Sequence, residues 1–349
     1  MKSFFFSNKL LNYLNILLTV FGYFYYKIFK YTPSIFYQSF VRSYCFTNGK
    51  IINLLCNFET FNLGTLKLNK NATFKEKTNN LNLYKEEANI VLKNLENCGY
   101  HVFKQRLNSE IVTELINFAK SKECIVYSDN GKKILKKYAE NDVKISSKYT
   151  IKEQDLIENT TIQKLVNNEI FYIIAQKYFK TRPCLSAVNM WWSPVRKKKI
   201  NIEIEKNNKS AQMYHFDLDR IKWLKLFIYL TDVDEESGPH EYVETSHKVN
   251  SKPKELLDYG YKRIPDNLIN KYYKKNLIKK VYGKKGTMFI ADTSCYHRGK
   301  PPTNNDRLLM VIEFSNSLFG AEYNKIKVSE NSEILNCSKL SLKEKIIIS

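Results

Sequence analysis

The strongest constraint on the fold is a series of short segments between Pro183 and Phe314 that are rich in β-branched and aromatic residues. Turn-forming sequences separate several of them, including Glu236-Ser237-Gly238-Pro239 and Gly283–Gly286. The predicted strands are Ser186–Trp192, Ala211–Asp217, Leu224–Thr231, Thr287–Ile290 and Arg307–Phe314. This spacing predicts a mainly β fold, a sandwich or barrel with helices packed outside it.

The sequence before Pro183 favours helices instead. Periodic apolar residues predict helices over Leu83–Asn97, Glu110–Ala119 and Thr161–Phe179, with a short strand at Gly99–Phe103. Little periodicity is present from Tyr31 to about Asn82, so this part is interpreted as an irregular extension. Later in the chain, the basic insertion Ser251–Tyr282 is predicted to be helical.

An uncharged, mostly apolar run from Leu10 to Tyr26 lies between Lys9 and Lys27. Its least apolar residues recur every three or four positions, on one face of a helix; they are Asn12, Asn15, Thr19 and Gly22. At seventeen residues the run is short for a membrane span, which usually needs about 20. This pattern favours a helix that lies on an anionic membrane surface. The alternatives are a helix packed on the domain or on a partner, and a helix that spans the membrane. No cleavage site typical of a signal peptide follows.

Composition limits the partners and the compartment. The chain has 349 residues and a net charge of +21, which suits an anionic membrane, a nucleic acid or an anionic substrate. No basic pattern is interleaved with regularly spaced aromatics, so a solvated surface is favoured and nucleic acid is not the expected partner. The seven cysteines form no CxxC pair, which argues against a disulfide framework or a thiolate zinc site. A reducing, cytoplasmic location with membrane association as an option is expected.

Three residues have the chemistry of a metal site. His215 and Asp217 are two positions apart in a predicted strand, so their side chains leave the same face. An imidazole and a carboxylate placed in this way supply two ligands of a 2-His-1-carboxylate triad, which binds Fe(II) and leaves positions open. Such a pair is weak by itself, but His297 follows eighty residues past Asp217, directly after another predicted strand.

Arg307 strengthens this interpretation. It begins an apolar predicted strand ten residues after His297, where an unpaired charge would be costly. A guanidinium binds a carboxylate through two parallel hydrogen bonds, and the distal carboxylate of 2-oxoglutarate fits this requirement. The alternative partner is a protein carboxylate such as Asp306.

At these residues the sequence resembles the phytanoyl-CoA dioxygenase family. The matching motifs lie within residues 97–318: His215-Phe216-Asp217, Trp223–Val233, Glu236–Pro239, Thr245–Lys248, His297 and Arg307. The resemblance implies a double-stranded β-helix (jelly roll) core, with Fe(II), 2-oxoglutarate and O2 as metal, cosubstrate and oxidant. It further implies that His215, Asp217 and His297 bind the metal and that Arg307 binds the cosubstrate.

Two departures from the family pattern affect the site. Glu244 or Thr245 stands where the family commonly has glycine, and Gly299 stands where a hydroxyl residue often helps to bind the cosubstrate. Lys225, Tyr229 or Thr287 are therefore alternative cosubstrate contacts. Of the remaining histidines, His247 is expected to organise its loop. His240 is expected to lie exposed in a loop, with a contact at the pocket rim as the alternative. The three tryptophans, at 191, 192 and 223, are interpreted as core or pocket-wall residues.

The resulting hypothesis is a dioxygenase that hydroxylates a small-molecule or lipid-like substrate and releases succinate and CO2. The alternatives are a nucleic-acid-directed oxygenase, a zinc hydrolase using the same ligands, and a non-catalytic, membrane-associated jelly-roll binding protein. The expected layout is a hydrophobic helix in 1–32, an irregular extension and helix in 33–96, the oxygenase domain in 97–318 and a tail in 319–349.

Overall fold

The computed structural model describes residues 9–62, 85–128, 131–196, 212–336 and 344–348. The α-helices are α1 (Lys9–Phe29), α2 (Ser34–Thr47), α3 (Lys50–Asn62), α4 (Lys85–Asn97), α5 (Ser109–Ser121), α6 (Glu153–Glu158), α7 (Thr160–Val166), α8 (Glu169–Phe179), α9 (Lys254–Asp258) and α10 (Asp266–Tyr272). The strands are β1 (Tyr100–Arg106), β2 (Glu123–Tyr127), β3 (Lys133–Lys137), β4 (Tyr149–Ile151), β5 (Cys184–Ser193), β6 (Trp223–Tyr229), β7 (His240–Val243), β8 (Ile278–Val281), β9 (Thr287–Ala291), β10 (His297–Gly299), β11 (Arg307–Ser315), β12 (Ile326–Val328) and β13 (Ile346–Ile348).

Two antiparallel sheets face each other and form the jelly-roll core. The larger sheet has the strand order β1-β9-β6-β11-β5-β4-β2-β3, and the smaller one has the order β10-β7-β8. Isolated bridges join Tyr214 to Ile264 and His215 to His297, so the chain around His215 extends the edge of the smaller sheet. The prediction of a mainly β jelly roll with flanking helices is confirmed.

The central strands are buried on both faces because each face of the larger sheet is covered. Leu226, Ile228 and Ile312 belong to the core between this sheet and the helices. Phe227 and Leu309 belong to a separate cluster inside the jelly roll, together with residues of the smaller sheet. Because side chains alternate along a strand, one set packs in the core between the larger sheet and the helices, and the other set lines the interior of the jelly roll.

Asparagines set helix boundaries that apolar periodicity alone cannot place. The predicted helix Thr161–Phe179 is divided into α7 and α8, because the Asn168 side chain accepts a hydrogen bond from the Ile170 N–H at 3.1 Å and begins a new helix. Asn108 caps α5 in the same way, because its side chain accepts a hydrogen bond from the Glu110 N–H at 2.7 Å.

The predicted irregular extension is wrong for residues 34–62, which form α2 and α3; residues 63–84 lie outside the described part. The helical signal was obscured because α2 buries polar Ser39 and Ser43 beside its aromatic residues. Its Tyr44 ring stacks on Phe216 with centroids 5.5 Å apart. The N-terminal helices thus pack on the segment that carries His215 and Asp217.

The helix predicted over Leu10–Tyr26 is observed as α1 (Lys9–Phe29). Its polar side is buried, with Asn12 and Asn15 each 3% exposed, whereas Leu17 and Ile28 are 67% and 73% exposed. Thr19 hydrogen-bonds Ser43 of α2 at 3.0 Å. Within the described residues, no helix combines the length and apolarity needed to cross a membrane.

Two further local predictions need correction. The insertion Ser251–Tyr282 is not wholly helical, since β8 follows its two short helices and pairs with β7. The predicted strand ending at Asp217 forms isolated bridges instead of a regular strand, and Ala211 lies outside the described residues. The six cysteines of the described part are free thiols: Cys45, Cys56, Cys98, Cys124, Cys184 and Cys295.

Candidate metal centre

His215, Asp217 and His297 converge at one end of the jelly-roll interior. The potential ligand atoms of the three residues all lie within 4.8 Å of one another. The two oxygens of Asp217 are each 3.6 Å from one imidazole, Oδ1 from Nε2 of His215 and Oδ2 from Nε2 of His297. All three side chains are buried. One carboxylate between two imidazoles is the donor set of a facial triad.

Backbone pairing places these side chains together. His215 and His297 exchange both of their backbone N–H···O=C bonds, at 3.0 and 2.8 Å. The Asp217 N–H donates to the carbonyl oxygen of Thr293 at 2.9 Å. The predicted regular strand is not observed, but the two-residue spacing still directs His215 and Asp217 to the same side.

The hydrogen bonds of the two imidazoles fix which ring nitrogen carries a proton. Nδ1 of His215 lies 2.9 Å from the carbonyl oxygen of Met213, and Nδ1 of His297 lies 2.9 Å from that of Cys295. Because a carbonyl can only accept, each Nδ1 must donate its proton, and each Nε2 presents a lone pair toward Asp217. Burial lowers the pKa of both histidines, which favours the neutral, ligating form.

Lys225 keeps Asp217 ionised. Its Nζ lies 2.7 Å from Oδ2 of Asp217 and 3.2 Å from Oε2 of Glu313. Burial is the largest single effect and opposes the charge on Asp217, but the combined attraction of Lys225, His297 and His215 outweighs it and holds the pKa of this carboxyl below its usual value. The site therefore combines two neutral imidazoles with one carboxylate anion.

Arg307 has the properties of an anion receptor. Its side chain is 3% exposed, and Nη2 makes one long bond of 3.3 Å to Ser193 Oγ. Among the residues that the structure describes, Nε and Nη1 have no hydrogen-bond partner. Asp306, the alternative protein partner, is instead bonded to Tyr138 and to the Val195 N–H. Two unsatisfied guanidinium nitrogens in a buried site match the need of an incoming carboxylate.

Gly299 and His240 border this guanidinium. A Cβ atom at Gly299 would lie 2.9 Å from Nη2 of Arg307, so the glycine leaves the space that the arginine head occupies. His240 pairs with Gly299 in the β7–β10 ladder. The prediction that His240 lies exposed in a loop is wrong, because the turn before it ends at Pro239 and His240 begins β7.

His240 is a functional candidate that the sequence offered only as an alternative to an exposed loop residue. It is 5% exposed, its ring centroid is 5.8 Å from that of His297, and neither ring nitrogen has a partner in the described part of the chain. Burial, together with the nearby His297 and Arg307, holds the pKa of His240 well below its usual value, so the ring is neutral. The β-favouring sequence His240–Val243, directly after the turn, is the feature of the sequence that indicates a strand at His240.

The other predicted contacts are already engaged within the protein. The Tyr229 hydroxyl donates to the carbonyl of Val281 at 2.9 Å and accepts from the His240 N–H at 3.1 Å. Thr287 donates to the Lys284 carbonyl at 2.7 Å. His247 contacts the carbonyl of Glu96 at 3.3 Å and so links its loop to α4.

The tryptophans have separate settings. Trp192 stacks on Tyr138 with a centroid distance of 4.2 Å, and the Trp223 indole donates to Thr293 at 2.6 Å. Trp191 packs against the apolar cluster inside the jelly roll. A surface cavity of about 1280 Å³ is lined by Trp192 and Asp306 but by none of the triad residues, so it is separate from the metal centre.

Several solved structures are similar to this chain at low sequence identity. HygX from Streptomyces hygroscopicus, solved with nickel and 2-oxoglutarate, is 15% identical and has a TM-score of 0.46, covering 74% of this chain and 95% of its own. EctD from S. alaskensis is 13% identical with a TM-score of 0.43, over 69% and 80% of the two chains. The epimerase SnoN from nogalamycin biosynthesis is 14% identical with a TM-score of 0.44, over 66% and 83%. No curated protein matches the chain at a significant level.

A buried 2-His-1-carboxylate cluster with open positions is typical of non-haem Fe(II) oxygenases. The family model for phytanoyl-CoA dioxygenase matches residues 95–308. The chain belongs to the phytanoyl-CoA dioxygenase family, and it is a 2-oxoglutarate-dependent dioxygenase. Its cofactors are accordingly Fe(II), 2-oxoglutarate and O2.

Proposed function

We propose that His215, Asp217 and His297 hold Fe(II) and that the enzyme hydroxylates a small-molecule or lipid-like substrate. The donor set carries the metal assignment: two Nε2 lone pairs and one carboxylate converge in a buried site, and each Nδ1 is fixed by a backbone carbonyl. When bound, the iron supplies activation of O2 with the oxidative decarboxylation of 2-oxoglutarate. The balanced reaction converts substrate, 2-oxoglutarate and O2 into hydroxylated substrate, succinate and CO2.

Arg307 binds the distal carboxylate of 2-oxoglutarate in this proposal. The supporting observation is the pair of unsatisfied nitrogens on a fully buried guanidinium. His240 adds a neutral ring N–H beside the same position and, with Gly299, takes the place of the hydroxyl residue common in the family. Tyr229 shapes this end of the pocket, because its own hydroxyl proton is directed to Val281.

Lys225 acts at the metal-binding carboxylate in this proposal. It pairs across β6 and β11 with Glu313. Its ammonium is held by Asp217 and Glu313. Lys225 therefore orients and neutralises the metal-binding carboxylate, and a contact of its ammonium with the cosubstrate stays a prediction.

The interior of the jelly roll favours oxidation of an apolar C–H bond. Its wall includes Phe227, Phe289, Leu309 and Val311, an apolar surface that excludes water from the reacting centre. Asp217 occupies the position that a halide would need, which favours hydroxylation over halogenation. Neither a zinc hydrolase nor a non-catalytic binding protein would explain why the buried guanidinium of Arg307 has unsatisfied nitrogens.

The test is spectroscopic and chemical. Anaerobic addition of Fe(II) and 2-oxoglutarate to the wild-type protein should give a weak visible charge-transfer band, and air should then release succinate. Asp217→Ala should abolish both signals. The matched control is Asp142→Ala, which removes an exposed carboxylate paired only at the surface with Lys136. Absence of the band from wild-type protein at saturating ligand contradicts the proposed function.

A further inference from the structure

We propose that α1 docks on the surface of an anionic phospholipid bilayer through an apolar stripe. The stripe consists of Tyr13, Leu14, Leu17, Phe21, Phe24 and Ile28, which are between 45% and 73% exposed. Their spacing of three or four residues places them along one side of the helix.

α1 buries its polar side and exposes its apolar side, which is the reverse of a helix on the surface of a water-soluble protein. The side that faces the protein carries Asn12, Asn15, Thr19 and Gly22, while the side that faces outward carries no charged residue between Lys9 and Lys27. The inward residues are fixed by specific contacts: Thr19 bonds Ser43, and a Cβ at Gly22 would lie only 2.4 Å from that of Phe36. The helix cannot rotate to hide the stripe without losing this packing.

A lipid surface accounts for the chemistry of the stripe better than a protein partner does. With roughly 120 Å² exposed on each of six residues, the stripe is on the order of 700 Å², larger than most apolar patches of monomeric proteins. A protein interface of this size would need about four to seven hydrogen bonds. The only hydrogen-bonding side-chain group in the stripe is the Tyr13 hydroxyl. Acyl chains require none.

The geometry also indicates that the helix would lie in the plane of the membrane surface. One side of α1 is bound to the fold, with Tyr26 hydrogen-bonded to the Leu318 N–H at 3.1 Å and Lys27 paired with Glu59 at 2.7 Å. Lipid can therefore reach only the opposite side, to a depth typical of interfacial helices. Lys9 is exposed at one end of the helix. Lys30, just beyond the other end, is half exposed and paired with Glu344 at 3.0 Å. The net charge of +21 favours anionic headgroups.

Vesicle sedimentation tests this inference with the full chain. Wild-type protein should cosediment with phosphatidylcholine vesicles containing roughly 30% phosphatidylglycerol, and less with pure phosphatidylcholine vesicles. The double variant Leu17→Glu, Phe21→Glu should bind the anionic vesicles at least about 100-fold more weakly, because two inserted apolar side chains become charged.

The matched control is Leu135→Glu, Val143→Glu, which adds the same charge at residues that are 48% and 84% exposed elsewhere. It should bind vesicles within about twofold of the wild type, allowing for weak long-range repulsion. All three proteins should give the same circular dichroism and the same Fe(II)–2-oxoglutarate band, which separates this test from that of the catalytic site.

Three outcomes overturn the proposal. They are failure of the wild type to sediment with anionic vesicles, equal sedimentation of the stripe variant, and a wild-type dimer in analytical ultracentrifugation that becomes monomeric in the stripe variant without any vesicle binding. The last result would assign the stripe to a second copy of the chain.

Discussion

Replacement of Arg307 by methionine should stabilise the cosubstrate-free protein and at the same time destroy cosubstrate binding. Among the described residues the guanidinium is buried without a carboxylate, and burial lowers the pKa of Arg307. Methionine fills a similar volume without a charge. Substitution of buried charged groups by apolar residues is often neutral or stabilising by about 1–4 kcal/mol, so the free energy of unfolding of the metal-free protein should rise or stay unchanged.

The same substitution should weaken the binding of 2-oxoglutarate. Loss of one partner from a buried, hydrogen-bonded charge pair costs about 2–5 kcal/mol, which corresponds to a roughly 30-fold to several-thousandfold weaker Kd. Denaturant unfolding of the metal-free protein measures the first effect, and anaerobic titration calorimetry with Fe(II)-loaded protein measures the second. Arg307→Lys should bind 2-oxoglutarate with intermediate affinity, since it keeps the charge but loses the fork of two donors.

Arg298→Met provides a control with the reverse expectation. Arg298 donates to the buried Glu241 at 2.7 Å and to Asp266 at 2.6 Å, so its removal should lower the free energy of unfolding. The reasoning about Arg307 is refuted if Arg307→Met lowers stability by more than about 2 kcal/mol while the Kd for 2-oxoglutarate changes less than threefold.

Three further variants test other parts of the structure. His240→Phe should raise the KM for 2-oxoglutarate about tenfold by removing one ring N–H contact, whereas an unchanged KM would exclude His240 from the cosubstrate site. Gly299→Val should weaken 2-oxoglutarate binding by pressing on Nη2 of Arg307 and leave Fe(II) binding intact, as measured by calorimetry with each ligand. Lys252, held among Tyr44, Phe216 and Tyr296, has a pKa lowered by burial to about 8. The unfolded chain binds more protons than the folded protein above pH 8, so wild-type stability relative to Lys252→Met should rise between pH 8 and 9.5, and a flat difference would contradict this.

The sequence predicted the parts of the site whose geometry follows from local spacing. His215 and Asp217 share a face because they are two residues apart, and Arg307 begins a buried strand because an apolar run follows it. His240 could not be placed from its own neighbours, since its burial depends on pairing with Gly299 and Val281 from distant segments. The pairing of Lys225 with Glu313 likewise depends on the register of β6 against β11.

The largest errors in the fold concerned residues that pack in an unusual way. Apolar periodicity predicts helices that bury an apolar side, but α2 buries Ser39 and Ser43 against the polar side of α1. The same feature is present in α1, which buries its polar side against α2 and exposes its apolar side. The break between α7 and α8 depends on side-chain capping by Asn168, which hydrophobic periodicity does not register.

The mutual backbone pairing of His215 and His297 has a consequence for the lifetime of the enzyme in the cell. These residues come from distant parts of the chain, so the unfolded state holds no assembled site, and ligand binding adds directly to the free energy of unfolding. Free Fe(II) at 100 times its Kd would add about 2.7 kcal/mol, an approximately 100-fold smaller unfolded population. Proteolysis acts on that population, so the turnover of this protein should slow when iron is plentiful and accelerate when iron is scarce.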